Sequence, residues 1–491
     1  MKTYIGIDLG TSSVKLLLMN GAGEVMGSAC EAYPVSYPRP GWSEQDPEDW
    51  YRATVVGIRR LMQGQDAGQV QGIGVAGQMH GLVLADRAGR ILRPAILWND
   101  GRSAVEAAEL NRTVGGKRLI ELTGNIAYAG FTLPKLMWVR KHEPEIYRQI
   151  GTVLLPKDEL VRRLTGVSGT EPSDACGTLL YDVRRGCWSE EMRRYGEIPP
   201  DWLPPVRRSE EKVGTLLPEV AAETGLPAGV YVVAGAGDNA AASLGIGTVS
   251  EGSCSISLGT SGTVLIPCGS GQRLCLPTLH TFLHADGSPI LLGCILTAAS
   301  AGGWWIDDIL GSGDYAHETE TLGDGQADDP YFLPYLMGER SPHNDPDAKG
   351  VFFGMQRSTS RAAMTRAVYE GVTYALRDCM EEAGRIGIRP TSARLCGGGA
   401  RSEAWCRMIA DALGLTVEVP LRAEGPSLGA AMLAAVADGA ATSVREAAEK
   451  WKQDGRVYQP NPDRAAFYRR RYGFWRRLYP ALQALFGCEK A

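Results

Sequence analysis

From Tyr4 to Gly27 the chain alternates and turns like a three-strand meander. An apolar run, Tyr4–Ile7, leads into the polar loop Asp8-Leu9-Gly10-Thr11-Ser12-Ser13. A second run follows from Val14 to Met19, then an Asn20-Gly21 turn and a third strand around Glu24-Val25-Met26. Asn-Gly between apolar runs is a strong hairpin signal, because both residues tolerate the positive φ of tight turns. Val70–Ala76 reads as another strand, and Leu395-Cys396 ends a further one. From Met364 to Gly384 the residues Ala367, Val368, Val372, Ala375, Leu376 and Cys379 recur at helical spacing, which predicts a helix with one buried face. A second helix is predicted from Glu403 to Leu413, and Pro334 to Pro346 is a loop by composition. Strands alternating with helices predict α/β layers.

The first hairpin has an echo. Ile7-Asp8-Leu9-Gly10-Thr11-Ser12-Ser13-Val14 is matched by Ile256-Ser257-Leu258-Gly259-Thr260-Ser261-Gly262-Thr263, and both lie between apolar runs. Taken alone, either copy is also what an ordinary surface hairpin looks like; together they predict an internal duplication with one copy per domain. The length, 491 residues, exceeds what one core usually organises and agrees with two domains. The boundary is placed in the Gly-rich stretch from Gly245 to Gly252, giving domains 1–246 and 247–491.

Composition removes several function classes. With 44% apolar and 22% charged residues the chain is that of an ordinary folded protein. No run of 18 or more apolar residues predicts a membrane span, and Met1-Lys2-Thr3 passes directly into a strand without a secretory pattern. The expectation is a soluble, cytoplasmic protein without a membrane partner. The 11 cysteines are an odd number, scattered from Cys30 to Cys488 with no Cys-x-x-Cys pair, as free thiols in a reducing compartment would be. A net charge of −5 argues against a nucleic-acid partner. The basic-aromatic run from Tyr468 to Arg477 imitates a nucleic-acid site. Yet Tyr468, Tyr472, Trp475 and Tyr479 fall three or four apart, which predicts a terminal helix docking one aromatic face with its arginines in solvent.

The candidate chemistry lies in four places. The duplicated loops, Gly10-Thr11-Ser12 and Gly259-Thr260-Ser261, present backbone N–H groups and hydroxyls suited to phosphate oxygens. Only the first has a carboxylate, Asp8 against Ser257, and an Asp at the end of a buried strand can hold Mg²⁺ through waters or simply cap the turn. No Gly-x-x-x-x-Gly-Lys-Ser/Thr motif or dinucleotide fingerprint occurs. Gly397-Gly398-Gly399-Ala400 nevertheless lies between a strand and a helix, where a ring or phosphate can approach the backbone, or where a tight turn alone is needed. In Tyr231-Val232-Val233-Ala234-Gly235-Ala236-Gly237-Asp238-Asn239 a strand empties into a Gly-rich turn before Asp238, at the start of an Ala-rich helix. Asp238 reads either as an N-cap or as a carboxylate kept ionised for proton acceptance. Gln78, Met79 and His80 follow the Val70–Ala76 strand, where a histidine can fix a polyol or serve structure. Trp98 offers an apolar face to a sugar, or belongs to the core.

Together these motifs resemble the FGGY carbohydrate kinases, a branch of the superfamily that includes actin and hexokinase. Gly130-Phe131-Thr132-Leu133-Pro134-Lys135-Leu136-Met137-Trp138-Val139 resembles the first family signature, and Cys396-Gly397-Gly398-Gly399-Ala400-Arg401-Ser402 the second. Gly77 to Gly81, Leu97 to Arg102, Leu155-Pro156-Lys157-Asp158 and Pro334 to Arg340 are similar to the branch acting on xylulose. The resemblance implies two duplicated actin-like, ribonuclease H-like α/β domains with a nucleotide and sugar cleft between them. It implies transfer from ATP to the terminal hydroxyl of D-xylulose, with Asp238 as catalytic base and Asp8 serving Mg-ATP. The two carboxylates are then the Mg²⁺ residues, and Gln78, Met79, His80, Trp98 and Asn239 the sugar contacts. Gly10, Thr11, Ser12, Gly259, Thr260 and Ser261 become the phosphate loops, and Gly398, Gly399 and Ser402 the adenosine region. A homodimer is what the family suggests. Gly235-Ala236-Gly237 departs from the three glycines common before the base. A kinase for L-xylulose or ribulose, and a non-catalytic actin-like ATPase switch, remain alternatives.

Overall fold

A computed structural model of the chain describes residues 1–269, 276–421 and 424–487. Cys488 and the last residues of the second expected domain lie outside that range. The chain forms two compact units. One comprises Met1–Val249, Thr281–Pro289 and Glu424–Lys452; the other comprises Ser250–His280, Ile290–Ala423 and Gln453–Ala491.

In the first unit the predicted meander is β1 (Thr3–Leu9), β2 (Ser13–Asn20) and β3 (Val25–Ala32), followed by β4 (Val70–Gly77), β5 (Lys212–Thr215) and β6 (Tyr231–Val233). Their order is β5-β6-β4-β1-β2-β3. β1 runs antiparallel to β2 and parallel to β4, and β4 runs parallel to β6. The turn works through Asn20, whose Oδ1 accepts the N–H groups of Ala22 (2.9 Å) and Glu24 (3.0 Å).

Side chains alternate across β1, so Ile5, Ile7 and Leu9 enter one core with Trp50, Ile58, Leu160 and Leu164 of the helices Pro47–Leu61 and Pro156–Thr165. Tyr4 faces the other core, with Leu428, Ala431 and Leu433 of the helix Pro426–Ala437. Gly6 and Gly74 are register partners on β1 and β4. A Cβ at either would lie 1.8 Å from the carbonyl oxygen of Ser427 or of Ala430, so only glycine lets this helix rest directly on the sheet. The sequence places the division between the domains at 246/247. The first crossing does fall nearby, but residues 424–452 pack with the first unit because a helix apolar on all sides needs a complete cover.

The second unit repeats the plan. β7 (Ser253–Leu258), β8 (Gly262–Pro267), β9 (Pro289–Ile295), β10 (Ser392–Cys396), β11 (Thr416–Pro420) and β12 (Gly455–Tyr458) lie in the order β9-β8-β7-β10-β11-β12. β7 is antiparallel to β8 and parallel to β10, and β10 is parallel to β11. The predicted helices form at Arg361–Gly384 and Glu403–Leu413. The C-terminal helix Pro462–Trp475 buries Tyr468, Tyr472 and Trp475 as expected, while Tyr479 docks from a separate helix, Leu478–Phe486. The arginines are not all in solvent: Arg471 is buried, its Nε 2.9 Å from Glu370 Oε2. Its guanidinium also donates to the carbonyls of Asp329 (3.0 Å) and Pro330 (2.9 Å), leaving no reason to seek water.

Candidate functional site

In the first unit the chemistry collects where β1, β4 and the turn after β6 end together. Asp8 pairs with Lys15 across β2 and with Ala76 across β4. Only 8% of it is exposed, and burial, reinforced by the Asp238 carboxylate and opposed by Lys15, pushes its carboxyl up to about 7. Ala236–Gly237 extends parallel to Ala76–Gly77, which delivers Asp238 beside that strand end. Gly235 has φ +83°, and a Cβ there would lie 1.8 Å from the Val75 carbonyl oxygen. Ala236, by contrast, packs its methyl completely in the core, so the departure from three glycines is accommodated.

Asp238 does not cap the helix Asp238–Gly245; Gly237 is the N-cap and Asp238 the first helical residue. Its Oδ1 accepts from the Asn239 backbone N–H at 2.7 Å and from Asn239 Nδ2 at 2.9 Å. Burial raises its carboxyl to about 6 against the lowering effect of those two bonds. Asn239 is thus bound to Asp238, and Nδ2 also lies 3.9 Å from Met79 Sδ. His80 adopts φ +69°, stacks on Phe131 with centroids 4.4 Å apart, and brings Nδ1 within 2.8 Å of the Gly177 carbonyl. Its own carbonyl accepts from Thr132 Oγ1 (3.0 Å) and Lys135 Nζ (3.1 Å). Thus the Gly130–Val139 segment, singled out by resemblance, acts on the site by fixing His80.

The first phosphate-type loop is braced by side chains. The Gly10 carbonyl accepts from the Tyr33 hydroxyl (2.5 Å) and Gln78 Nε2 (3.3 Å); the Thr11 carbonyl accepts from Gln45 Nε2 (2.6 Å). Trp98 Nε1 donates to Thr11 Oγ1 at 3.0 Å, leaving the indole 38% exposed. Gln78 is almost fully buried and its amide also donates to Gln45 Oε1 at 3.0 Å, so it supports the loop. Tyr33 and Gln45 were not legible beforehand, since no local motif marks a residue whose partner lies on a distant segment.

In the second unit the matching loop is braced by two backbone N–H groups and one hydroxyl. Ala299 N–H donates to the Gly259 carbonyl (2.8 Å), and Ala298 N–H (2.9 Å) and Ser300 Oγ (2.6 Å) donate to that of Thr260. Ser257 pairs with Cys396, and the chain turns at Gly397 into the short helical turn Gly398–Arg401. Beside it lies a pocket of about 640 Å³ lined by Tyr315, Ala316, Tyr369, Gly398, Gly399 and Ser402, among others. Ser402 also caps the following helix, accepting the Trp405 N–H at 3.3 Å. A volume of this size suits a purine nucleoside.

Among the described residues no group of three or more His, Cys, Asp and Glu could hold a metal. Asp8 and Asp238 are instead two hard oxygen donors, and the Asp238 carboxylate raises the proton affinity of Asp8. That fits Mg²⁺, which binds through one or two carboxylates and keeps waters and phosphate oxygens for its remaining positions.

Phosphate-type loops in two duplicated α/β units, with the Asp8 and Asp238 carboxylates in one and a nucleoside-sized pocket in the other, define a phosphotransferase of the actin-like kind. Residues 3–245 match the N-terminal domain, and residues 254–437 the C-terminal domain, of the FGGY family of carbohydrate kinases; the chain belongs to that family. It is 43% identical over 485 residues to the xylulose kinase of Escherichia coli (strain K12), covering 98% of this chain and 99% of the relative. It is 36% identical over 485 residues to the xylulose kinase of Bacillus subtilis (strain 168), covering 98% and 97%. The solved "xyloylose kinase" of Brucella ovis superposes with a TM-score of 0.92 at 39% identity, covering 98% of this chain and 100% of that one.

Proposed function

We propose that the protein phosphorylates D-xylulose at its terminal hydroxyl with ATP, giving D-xylulose 5-phosphate and ADP. The observation that carries this reading is the Asp238 carboxylate, opening a helix beside Met79 with its pKa raised to about 6. A base so poised is ionised at neutral pH yet basic enough to take the hydroxyl proton as that oxygen attacks the γ-phosphorus. Asn239 holds Asp238 Oδ1 through two bonds, leaving Oδ2 for the substrate. Met79, His80 and Trp98 contact the sugar, and the bracing of His80 by Phe131, Thr132 and Lys135 sets which hydroxyl pattern fits. Gln78 serves that site indirectly, through Gly10 and Gln45. Gly10-Thr11-Ser12 and Gly259-Thr260-Ser261 bind phosphate oxygens, while Gly398, Gly399 and Ser402 receive the adenosine. Asp8 and Asp238 would hold Mg²⁺, which when bound neutralises phosphate charge. The full-length similarity to proteins named xylulose kinase supports the choice of sugar. The nine described cysteines, all free, and the lack of any described helix long and apolar enough to cross a membrane support a cytoplasmic setting.

The test is ADP release against a panel of ketoses and polyols. D-xylulose is expected to give the highest kcat/KM, and Asp238→Ala to lower kcat by about 10²–10⁴-fold. Preference for L-xylulose or ribulose would overturn the choice of sugar. Unstimulated ATP hydrolysis with every sugar would favour an ATPase switch.

A further inference from the structure

Behind the Asp238 turn lies a cluster of charges that the mechanism above does not use. Lys157, in the first turn of the helix Pro156–Thr165, has no exposed side-chain surface. Its Nζ lies 2.6 Å from Asp158 Oδ1 and 3.6 Å from both Glu171 Oε1 and Asp174 Oδ2. It also donates to the Ala234 carbonyl at 3.3 Å. Glu171 accepts the backbone N–H groups of Ser173 (2.8 Å) and Asp174 (2.9 Å) and the hydroxyls of Ser173 and Ser209 (2.9 Å each). Ser173 Oγ in turn accepts the Gly237 N–H at 2.9 Å, and the Gly235 N–H reaches the Ser209 carbonyl at 2.9 Å. Ala234, Gly235 and Gly237 of the turn are therefore all tied to one buried network, and the next residue is Asp238.

We propose that Lys157, Glu171 and Ser173 are positioning residues that fix the Ala234–Gly237 turn and thereby aim the Asp238 carboxylate at the substrate hydroxyl. Burying one cation among three carboxylates is a poor way to stabilise a fold, since apolar packing of the same volume often does as well or better. What such a network supplies is direction: a charge-assisted acceptor orients the Ser173 hydroxyl, and that hydroxyl orients one particular amide. Asp174 completes the balance. Its Oδ2 lies 3.6 Å from Lys157 Nζ, and burial, partly offset by Lys157, holds its carboxyl well above the usual range.

The proposal rests on Asp238 being the base, and the variants separate the two ideas. Ser173→Ala is expected to lower kcat about 10–100-fold, the usual effect of removing an outer hydrogen-bond partner. KM for D-xylulose and ATP should change less than about threefold, because neither ligand contact is touched. Ser173→Cys, whose sulfur is a weaker acceptor of similar shape, should fall between parent and Ser173→Ala and keeps the test decisive if the alanine variant folds poorly. Parent-like kcat in the folded Ser173→Ala or Ser173→Cys protein, while Asp238→Ala is inactive, overturns the positioning role alone. So does a loss expressed in KM together with a lowered Tm, which marks a general structural role. Parent-like turnover in Asp238→Ala overturns the base assignment, and this proposal with it.

Discussion

The two units share a strand order and a hairpin but differ at the end of one strand. On β1 the last inward polar position is Asp8 beside Ala76; on β7 it is Ser257 beside Cys396. The parallel neighbour then continues as Gly77-Gln78-Met79-His80 in one unit and as Gly397-Gly398-Gly399-Ala400 in the other. The same backbone position thus leads to a polar, sulfur- and imidazole-bearing surface in the first unit and to bare peptide beside a pocket in the second. The loops differ likewise. Side chains of Tyr33, Gln45 and Gln78 hold the first, whereas the N–H groups of Ala298 and Ala299, with the Ser300 hydroxyl, hold the second. A duplicated frame fixes where donors point; the residues at the strand ends decide whether a unit presents carboxylate, thioether and imidazole groups or bare peptide beside a pocket.

The largest test of this contrast is Asp8→Asn against Ser257→Ala. The first is expected to lower kcat/KM about 10²-fold or more in a coupled ADP assay, because in the proposed function it removes the preorganised charge beside the phosphates. Ser257→Ala should stay within about threefold, as expected where no charge is lost. Equal losses would show that the two hairpins work alike. Next, His80→Ala should raise KM for D-xylulose about tenfold with KM for ATP unchanged, and Ala316→Trp, filling the second unit's pocket, should do the reverse. Mixed effects in both would break the division of labour.

The smallest effect is on stability. Because the folded protein holds the Asp8 carboxyl at about 7, above the 3.8 of an ordinary aspartate, the unfolded chain ionises first as pH rises. The native state therefore loses stability between about pH 4 and pH 7 and is level above it. Asp8→Asn removes that penalty, so its Tm should equal the parent's near pH 4 and exceed it by a few degrees at pH 8, with differential scanning calorimetry as the measurement. A difference independent of pH would mean that Asp8 is not titrating in the native protein.

Much of the frame was legible. Leu-Gly-Thr-Ser at 9–12 and 258–261 announced the duplication, and apolar spacing located β1, β4 and the helices Arg361–Gly384 and Glu403–Leu413 to within a few residues. Asp8, Asp238 and Met79-His80 stood out because each interrupts a strand or opens a helix with a residue that packing alone does not explain. The C-terminal aromatic stripe was also readable by period, but the burial of Arg471 was not, since its partner Glu370 lies on another helix.

The sequence by itself determined the hairpin strands, their two loops and the positions of Asp8 and Asp238, because these depend on periodicity and turn chemistry within a few residues. Only the tertiary structure decided that residues 424–452 complete the first unit, through the glycine contact of Gly6 and Gly74 with the helix above them. It likewise decided that Gln78 braces a loop, that Gly237 rather than Asp238 caps its helix, and that Lys157, Glu171 and Ser173 converge on the turn before Asp238. Their partners are dozens of residues away along the chain, and a hydrogen bond across that separation leaves no period or motif in a single sequence.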